Sequence, residues 1–131
     1  MRIDHINIAA PMSLLDEVRK FYCTALQLEE GPRPDFGIRG YWLYGGGRPI
    51  VHLIESDDRH PAEKPPYLDH VAFEVTGLSA YMARLKSLGV EYSVNHIEDF
   101  NISQVFCKDP CGNGVEANFA NEKADVGGPV T

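Results

Sequence analysis

Four residues that can bind a metal ion are set singly into otherwise apolar runs of the sequence. His5 lies in "IDHINIAA", His52 in "PIVHLIES", His70 in "LDHVAFEV" and Glu116 in "NGVEANFA". Neutral imidazole and carboxylate groups suit Fe(II), Zn, Ni, Co and Mn, and two histidines with one carboxylate are the set used by non-haem Fe(II) oxygenases. Taken alone, any one of these histidines is more often a hydrogen-bonded core or surface residue, so the pattern needs support from elsewhere in the chain.

An internal repeat provides that support. His5 and His70 are 65 residues apart, each preceded by an aspartate, and His52 and Glu116 are 64 residues apart at the other end of the repeat. The two offsets agree within one residue, which predicts two similar modules at residues 1–56 and 67–120. We expect both modules to belong to one domain of 131 residues, 1–131, with a polar linker at 57–66 and a tail at 121–131.

The elements that must position these residues follow the same order in both modules. Apolar residues spaced by three and four predict a helix in "SLLDEVRKFYCTALQLEEG", with Ser13 as its N-cap and Gly31 beyond its end, and a second helix in "LSAYMARLKSLGV" that stops at Gly89. A short strand precedes each helix, and further strand-like runs separated by turn residues follow it. The predicted fold is α+β, built from two tandem βαβββ modules.

Strand phase indicates where the four residues point. Side chains alternate along a strand, so packing Val51 and Leu53 on the helix leaves His52 on the opposite face, and the same reasoning applies to the other three strands. If the modules pair about a pseudo-two-fold axis, the four side chains converge on one metal ion. One alternative stays open at His52, because a one-residue slip would present Glu55 instead. The predicted metal ligands are His5, His52, His70 and Glu116.

Other residues on the same faces are candidates for contacting a substrate. His52 is also a candidate catalytic acid or base, because an imidazole with a pKa of about 6.5 suits either that role or metal binding. Aromatic side chains near it would wall the site against a planar or apolar substrate, although packing within the sheet is an equally good reading for most of them. The candidate pocket residues are Asn7, Trp42, Gln104 and Asn118.

The composition of the chain excludes some classes of binding partner. A formal net charge of −7 argues against binding to nucleic acid or an anionic membrane surface, because both require a basic face. No run approaches the ~20 apolar residues of a membrane span, and the first ten residues read as a strand. The three cysteines form no CxxC pair and indicate reduced thiols in a cytoplasmic protein. A small-molecule substrate is therefore the expected partner, with no nucleic acid and no membrane.

With these residues in hand, the sequence resembles the vicinal oxygen chelate superfamily, also called the glyoxalase/bleomycin resistance/extradiol dioxygenase superfamily. The resemblance runs from Ile3 to Phe119 and is carried by "DHINIAA", "GYWLYGGGRPIVHLIE", "LDHVAFEV" and "QVFCKDPCGNGVEANF". It implies paired βαβββ modules that form a cup-shaped mixed sheet around one divalent metal ion per site, and a homodimer, which open sheet edges also favour. His5, His70 and Glu116 fall at three ligand positions and His52 at the fourth.

Departures from the family narrow the expected activity. Bacterial glyoxalase I enzymes carry a glutamate at the fourth position and methylmalonyl-CoA epimerases usually a glutamine, whereas this chain has His52. Bleomycin-binding members generally lack the metal set. We therefore expect a metal-dependent enzyme on a substrate with adjacent oxygens, with Fe(II) and extradiol-type dioxygenase chemistry slightly favoured. The alternatives are a lyase, isomerase or epimerase using Zn, Ni, Co or Mn, and a ligand-sequestering resistance protein without enzymatic activity.

Overall fold

A computed structural model of the chain describes residues 1–58 and 67–124. The chain divides into two compact units, Met1–Glu63 and Lys64–Thr131, so the boundary falls inside the predicted linker. Most of that linker, including His60, and all but the first four residues of the predicted tail lie outside the described residues. The assignment of both units to one domain stays a prediction. Among the described helices, none is long and apolar enough to cross a membrane.

The first unit is a four-stranded mixed sheet with one helix. Its first strand lies parallel to its last, whereas the remaining neighbours are antiparallel, which gives the spatial order β1-β4-β3-β2. The elements in chain order are β1 (Ile6–Ala10), α1 (Met12–Ala25), β2 (Glu29–Gly31), β3 (Gly40–Gly45) and β4 (Arg48–Glu55).

The core of the first unit lies between α1 and one face of its sheet. Helix α1 packs on β1, β3 and β4. The strands contribute Leu43, Val51 and Leu53, all fully buried, and α1 contributes apolar side chains at three- and four-residue spacing. Removing such side chains from water is the main stabilising contribution to a unit of this size. The buried residues of α1 are Leu15, Val18, Phe21, Tyr22 and Ala25.

The second unit repeats this architecture. Its sheet has the order β5-β8-β7-β6, again with the first strand parallel to the last. The element order confirms the predicted α+β fold of two βαβββ modules. Its elements are β5 (His70–Glu74), α2 (Leu78–Ser87), β6 (Tyr92–Ile97), a single 3-10 turn (Glu98–Phe100), β7 (Ile102–Lys108) and β8 (Gly114–Ala120).

Helix α2 packs through Tyr81, which is fully buried with its ring 5.4 Å from that of Phe119. Burial raises the pKa of Tyr81 far above its ordinary value. The N-terminus of α2 is held from a distant part of the chain, because the Glu122 carboxylate accepts hydrogen bonds from the backbone N–H groups of Gly77 (3.0 Å) and Leu78 (2.8 Å). The start of the predicted tail is therefore bound to the second unit.

Three details differ from the sequence-based predictions. Helix α1 begins at Met12 with Pro11 rather than Ser13 at the N-cap position, and it ends at Ala25 rather than near Gly31. Gln27 then adopts a left-handed φ of 55°, and the chain continues as β2. Leu28, which continues the three- and four-residue spacing of apolar residues, is buried, but it lies in this turn and not in the helix. By contrast Gly89, predicted to stop α2, has the expected positive φ of 69°.

Candidate metal and substrate site

In the first unit, three predicted site residues form a stack of rings on the face opposite α1. The imidazoles of His5 and His52 are 3.7 Å apart between centroids and nearly parallel, at 10°. On its other side His52 stacks on Trp42 at 4.2 Å, because Trp42 is its direct partner across the β3–β4 ladder. Val51 and Leu53 take the buried face, and Glu55 instead pairs with Arg39, so the one-residue slip is excluded.

Hydrogen bonds fix which nitrogen of each imidazole carries a proton. Nδ1 of His5 lies 2.7 Å from the Asp4 carboxylate and donates to it, which leaves Nε2 as the nitrogen with a free lone pair. His52 has the opposite tautomer, because its Nε2 lies 3.0 Å from the carbonyl oxygen of Pro49, and a carbonyl can only accept. The two stacked rings therefore offer different nitrogens, Nε2 of His5 and Nδ1 of His52.

The surroundings of His52 favour its neutral form. Burial lowers the pKa of His52 below its ordinary value, and protonation of His5 lowers it further, with a smaller contribution from Arg33. The hydrogen bond to Pro49 and the charge of Asp4 act in the other direction without reversing the shift. A neutral imidazole can bind a metal ion or accept a proton, so both predicted roles of His52 are chemically available.

In the second unit, a chain of polar contacts runs across β5, β8, β7 and β6. Nε2 of His70 lies 3.1 Å from Oε1 of Glu116, and Nε2 of Gln104 donates to the other carboxylate oxygen at 3.3 Å. Asn95 in turn donates to Oε1 of Gln104 at 3.1 Å, which fixes the orientation of that amide. Glu116 is only 5% exposed, so its carboxylate is held at a defined position beside the imidazole.

His70 is oriented by the residue before it, as His5 is. Its Nδ1 donates to the Asp69 carboxylate at 2.8 Å, and its Nε2 faces the Glu116 carboxylate, so the metal-free site favours the doubly protonated imidazolium. This hydrogen bond to Asp69 raises the pKa of His70, and the charges of Glu116 and Asp69 add to the effect. Metal-binding histidines commonly donate their second N–H to a carboxylate in this way, and the partner fixes the ring and makes the ligand more basic.

Each unit thus supplies a pair of candidate ligands. Within either unit, the described residues contain no group of three or more His, Cys, Asp or Glu side chains placed to hold a metal ion. Asn7 pairs in register with His52 and is exposed, and Asn118 pairs in register with Gln104. Oδ1 of Asn118 is shielded from solvent and has no hydrogen-bond partner among the described residues.

An open groove of about 510 Å³ lies between the start of α1 and the loop that leads into β3, and none of the four predicted ligands lines it. Arg33 and Tyr41 are on its wall, together with residues of the loop that leads into β3. Tyr41 points to the helix side of the sheet, where its hydroxyl donates to Asp16 at 2.9 Å. The residues lining the groove are Met12, Arg33, Asp35, Gly37, Ile38, Arg39, Gly40 and Tyr41.

The opposite pKa shifts of His52 and His70 lead to a direct prediction. In metal-free protein we expect His52 to titrate below about 6.5 and His70 above it, because burial disfavours the cation at His52 and Asp69 stabilises it at His70. The measurement is a pH titration of the imidazole signals by NMR. Asp69→Asn should lower the pKa of His70 and leave that of His52 unchanged. Titration of His70 below His52 in the wild type would contradict the assigned hydrogen bonds.

Sequence reasoning did not give a role to Asp4, Asp69 or Asn95. The signal for the two aspartates was present, because an acidic residue stands immediately before the histidine in both copies of the repeat. Asn95 had no comparable signal, since its contact with Gln104 depends on the register of β6 against β7.

Comparison with protein families gives a match over residues 2–117 to the model described as Glyoxalase/Bleomycin resistance protein/Dioxygenase superfamily. No curated protein matches the chain. Among solved structures, one from Bacillus anthracis described as a glyoxalase family protein aligns with a TM-score of 0.72 and 27% identity, covering 92% of this chain and 95% of that one.

Two further structures resemble the chain in fold. The fosfomycin resistance protein FosX from Listeria monocytogenes, in complex with Mn(II) and sulfate, aligns with a TM-score of 0.65 and 19% identity, covering 91% of this chain and 92% of that one. Lactoylglutathione lyase from Agrobacterium tumefaciens aligns with a TM-score of 0.63 and 18% identity, covering 92% of this chain and 94% of that one.

Proposed function

Since the chain belongs to the glyoxalase/bleomycin resistance protein/dioxygenase superfamily, we propose that it is a divalent-metal-dependent enzyme acting on a small substrate with two adjacent oxygens. The observation that carries the proposal is the repeated Asp-His pair. In both units the aspartate accepts a hydrogen bond from Nδ1–H, so Nε2 is the nitrogen available to a metal ion, and in the second unit that nitrogen lies 3.1 Å from a nearly buried carboxylate. This donor set suits a divalent metal ion.

In this proposal His5, His70 and Glu116 hold the metal ion, from the two units of one chain or of two chains in a homodimer. When bound, the ion would act as a Lewis acid that orients and polarises the substrate oxygens. Gln104 fixes one oxygen of Glu116 and leaves the other beside His70. Asn7 and Asn118 contribute amide groups for contacts with the substrate.

His52 has a separate role as the residue that moves a proton. Its ring is fixed by Pro49 and by stacking between His5 and Trp42, and its lowered pKa keeps Nδ1 unprotonated near neutral pH. An imidazole with these properties can accept a proton from a substrate hydroxyl or from a carbon beside a carbonyl. The parallel stacking on His5 supports this role over that of a further ligand.

Of the possible reactions, extradiol-type cleavage of a catechol-like ring by O₂ is slightly favoured. Two histidines and one carboxylate are the ligand set of non-haem Fe(II) oxygenases, and Fe(II) is therefore the preferred metal. The second candidate is a lyase, isomerase or epimerase reaction with Zn, Ni, Co or Mn, which the neutral His52 also fits as a proton carrier. A cytoplasmic location is part of the proposal, since three unpaired cysteines suit a reducing compartment.

Metal content is the test of this proposal. Protein purified without a histidine tag should contain about one divalent ion per site by elemental analysis, and His70→Ala should lose it. His96→Ala is the matched control, because His96 lies in the same unit but binds Ser103 at 2.9 Å and none of the proposed ligands. Iron would direct substrate screens to catechols under O₂, whereas Zn, Ni, Co or Mn would favour isomerase or lyase chemistry. Absence of stoichiometric metal, even after reconstitution, would contradict the proposal and favour a ligand-sequestering protein.

A further inference from the structure

Arg33 differs from the neighbouring arginines of the first unit in having no acidic partner. Arg39 forms an ion pair with Glu55, and Arg48 lies 3.5 Å from Asp4. Within residues 1–58 and 67–124, no carboxylate oxygen lies within ion-pair distance of Arg33. In a chain with a net charge of −7, a guanidinium left without a carboxylate marks a local place where an anion can bind.

The guanidinium of Arg33 is held in place without a carboxylate partner. Nη1 donates to the carbonyl oxygen of Ile38 at 3.0 Å, and the group lies over the ring of Phe36, 4.9 Å from the centroid. The guanidinium also lies close to Gly40, because a Cβ built at that position would be 3.0 Å from Nη2. A side chain at position 40 would therefore compete with Arg33 for the same space. Nε is shielded from solvent and has no hydrogen-bond partner among the described residues. A fixed, partly desolvated cation binds an anion more strongly than a mobile, fully hydrated one does.

Aromatic contacts connect this guanidinium to the site face. The ring of Phe36 is 6.2 Å from that of Trp42, and Trp42 stacks on His52. Gly40 and Trp42 are two residues apart on β3, so Arg33, which lies over Gly40, is on the same face of the sheet as His52. Phe36 is 53% exposed and therefore has surface available for a ligand.

We infer that the substrate is an organic anion, with an apolar or aromatic part that packs against Phe36 and Trp42 and an oxyanion group that binds Arg33. The inference rests on the proposed function, because it describes the substrate class of the same site. A planar oxyanion such as carboxylate matches the fork of guanidinium N–H donors, and phosphonate offers the same donors a tetrahedral set of oxygens.

Trp42 is the only tryptophan in the chain and provides the measurement, since its fluorescence reports binding beside it. We would titrate metal-free, EDTA-treated protein with benzoate, phenylphosphonate and the neutral amide benzamide. We expect at least one of the two anions to change the Trp42 emission with saturation, and to bind about tenfold or more tightly than benzamide. Which anion binds identifies the geometry of the oxyanion, and either result supports the inference.

Variants distinguish a specific contact between the anion and Arg33 from a general effect of the protein's net charge. Arg33→Gln should weaken binding of the anion about tenfold or more, whereas Arg39→Gln, which removes the same charge from the same loop, should change it less than about twofold. Arg33→Lys keeps the charge without the stacked fork and should retain intermediate binding. Circular dichroism and the unfolding midpoint establish that each variant is folded.

Equal affinity for benzamide and the anions, failure of both anions to bind, or wild-type anion binding by Arg33→Gln would each overturn the inference. These outcomes are distinct from failure of the proposed function, because the titrations use no metal ion. A protein without stoichiometric metal that binds the anion through Arg33 contradicts only the proposed function. A protein that contains stoichiometric metal, and whose anion affinity is unchanged by Arg33→Gln, contradicts only the inference.

Discussion

Replacing Glu116 with glutamine is expected to weaken divalent-metal binding by about a hundredfold or more while leaving the metal-free protein at least as stable as the wild type. The first effect follows from removing the only proposed carboxylate ligand and its negative charge. The second follows from the burial of Glu116, which is only 5% exposed. Burying a charged carboxylate costs more hydration free energy than burying a neutral amide.

The opposite directions of these two effects separate a functional role from a structural one. A glutamine at position 116 has nearly the same shape, so the packing of β8 against β5 and β7 is preserved. Residues retained for function often lower stability in this way. A carboxylate kept only to stabilise the His70 contact would instead leave the metal-free variant less stable.

The measurements are a competition titration with a metal-sensitive chelator and urea unfolding of metal-free protein. Glu91→Gln is the control, because Glu91 is an exposed residue of the same unit and this substitution removes an equal charge. We expect its metal affinity to change by less than about threefold, as for a screened surface charge. Equal losses of metal affinity in both variants would show that net charge, and not the position of Glu116, governs binding.

Replacing Gly114 with alanine should destabilise the second unit by about 3 kcal/mol, because there is no room for a Cβ at this position. Gly114 lies at the start of β8, in register with His70 on the parallel strand β5. A Cβ there would overlap the carbonyl oxygen of Asp69 and lie 2.9 Å from Cβ of His70. One added methyl group would therefore force apart the two strands that carry His70 and Glu116.

Gly112→Ala provides the matched comparison for this effect. Gly112 is two residues earlier, has nothing within 4 Å of a built Cβ, and adopts a φ of 84°. Its replacement should cost about 1 kcal/mol, from backbone strain alone. Urea unfolding of the two variants gives the difference in their free energies of unfolding. If Gly114→Ala were no more destabilising than Gly112→Ala, the close approach of β8 to β5 at His70 would be contradicted.

Much of the fold was available from the sequence because two independent signals coincided. The repeat of the Asp-His pair located the modules, and alternation along "PIVHLIES" correctly placed His52 opposite Val51 and Leu53. Periodicity failed where tertiary contacts decide the conformation. Leu28 continues the helical spacing of α1, yet the positive φ of Gln27 ends the helix first and leads the chain into β2.

The details of the site were less predictable, since they depend on rotamers and register. Strand phase shows on which face His5 and His52 lie, but not that their rings stack with opposite tautomers set by Asp4 and Pro49. Likewise, the packing of α2 relies on Tyr81, which the helical stripe of smaller apolar residues did not indicate. Aromatic residues with a polar end are difficult to assign from pattern alone, because either end of the side chain can decide their position.

The pairing of the first strand of each unit with its last also affects how the chain is synthesised and folds. Neither sheet can close until its final strand has left the ribosome, because β1 needs β4 and β5 needs β8. β1 and β5 have equivalent positions in the two sheets, each beside the strand that is synthesised last in its unit. Vectorial synthesis lets β1 close on β4 before β8 exists. Refolding of the complete chain from denaturant removes that order, because the strands of both units are then present from the start.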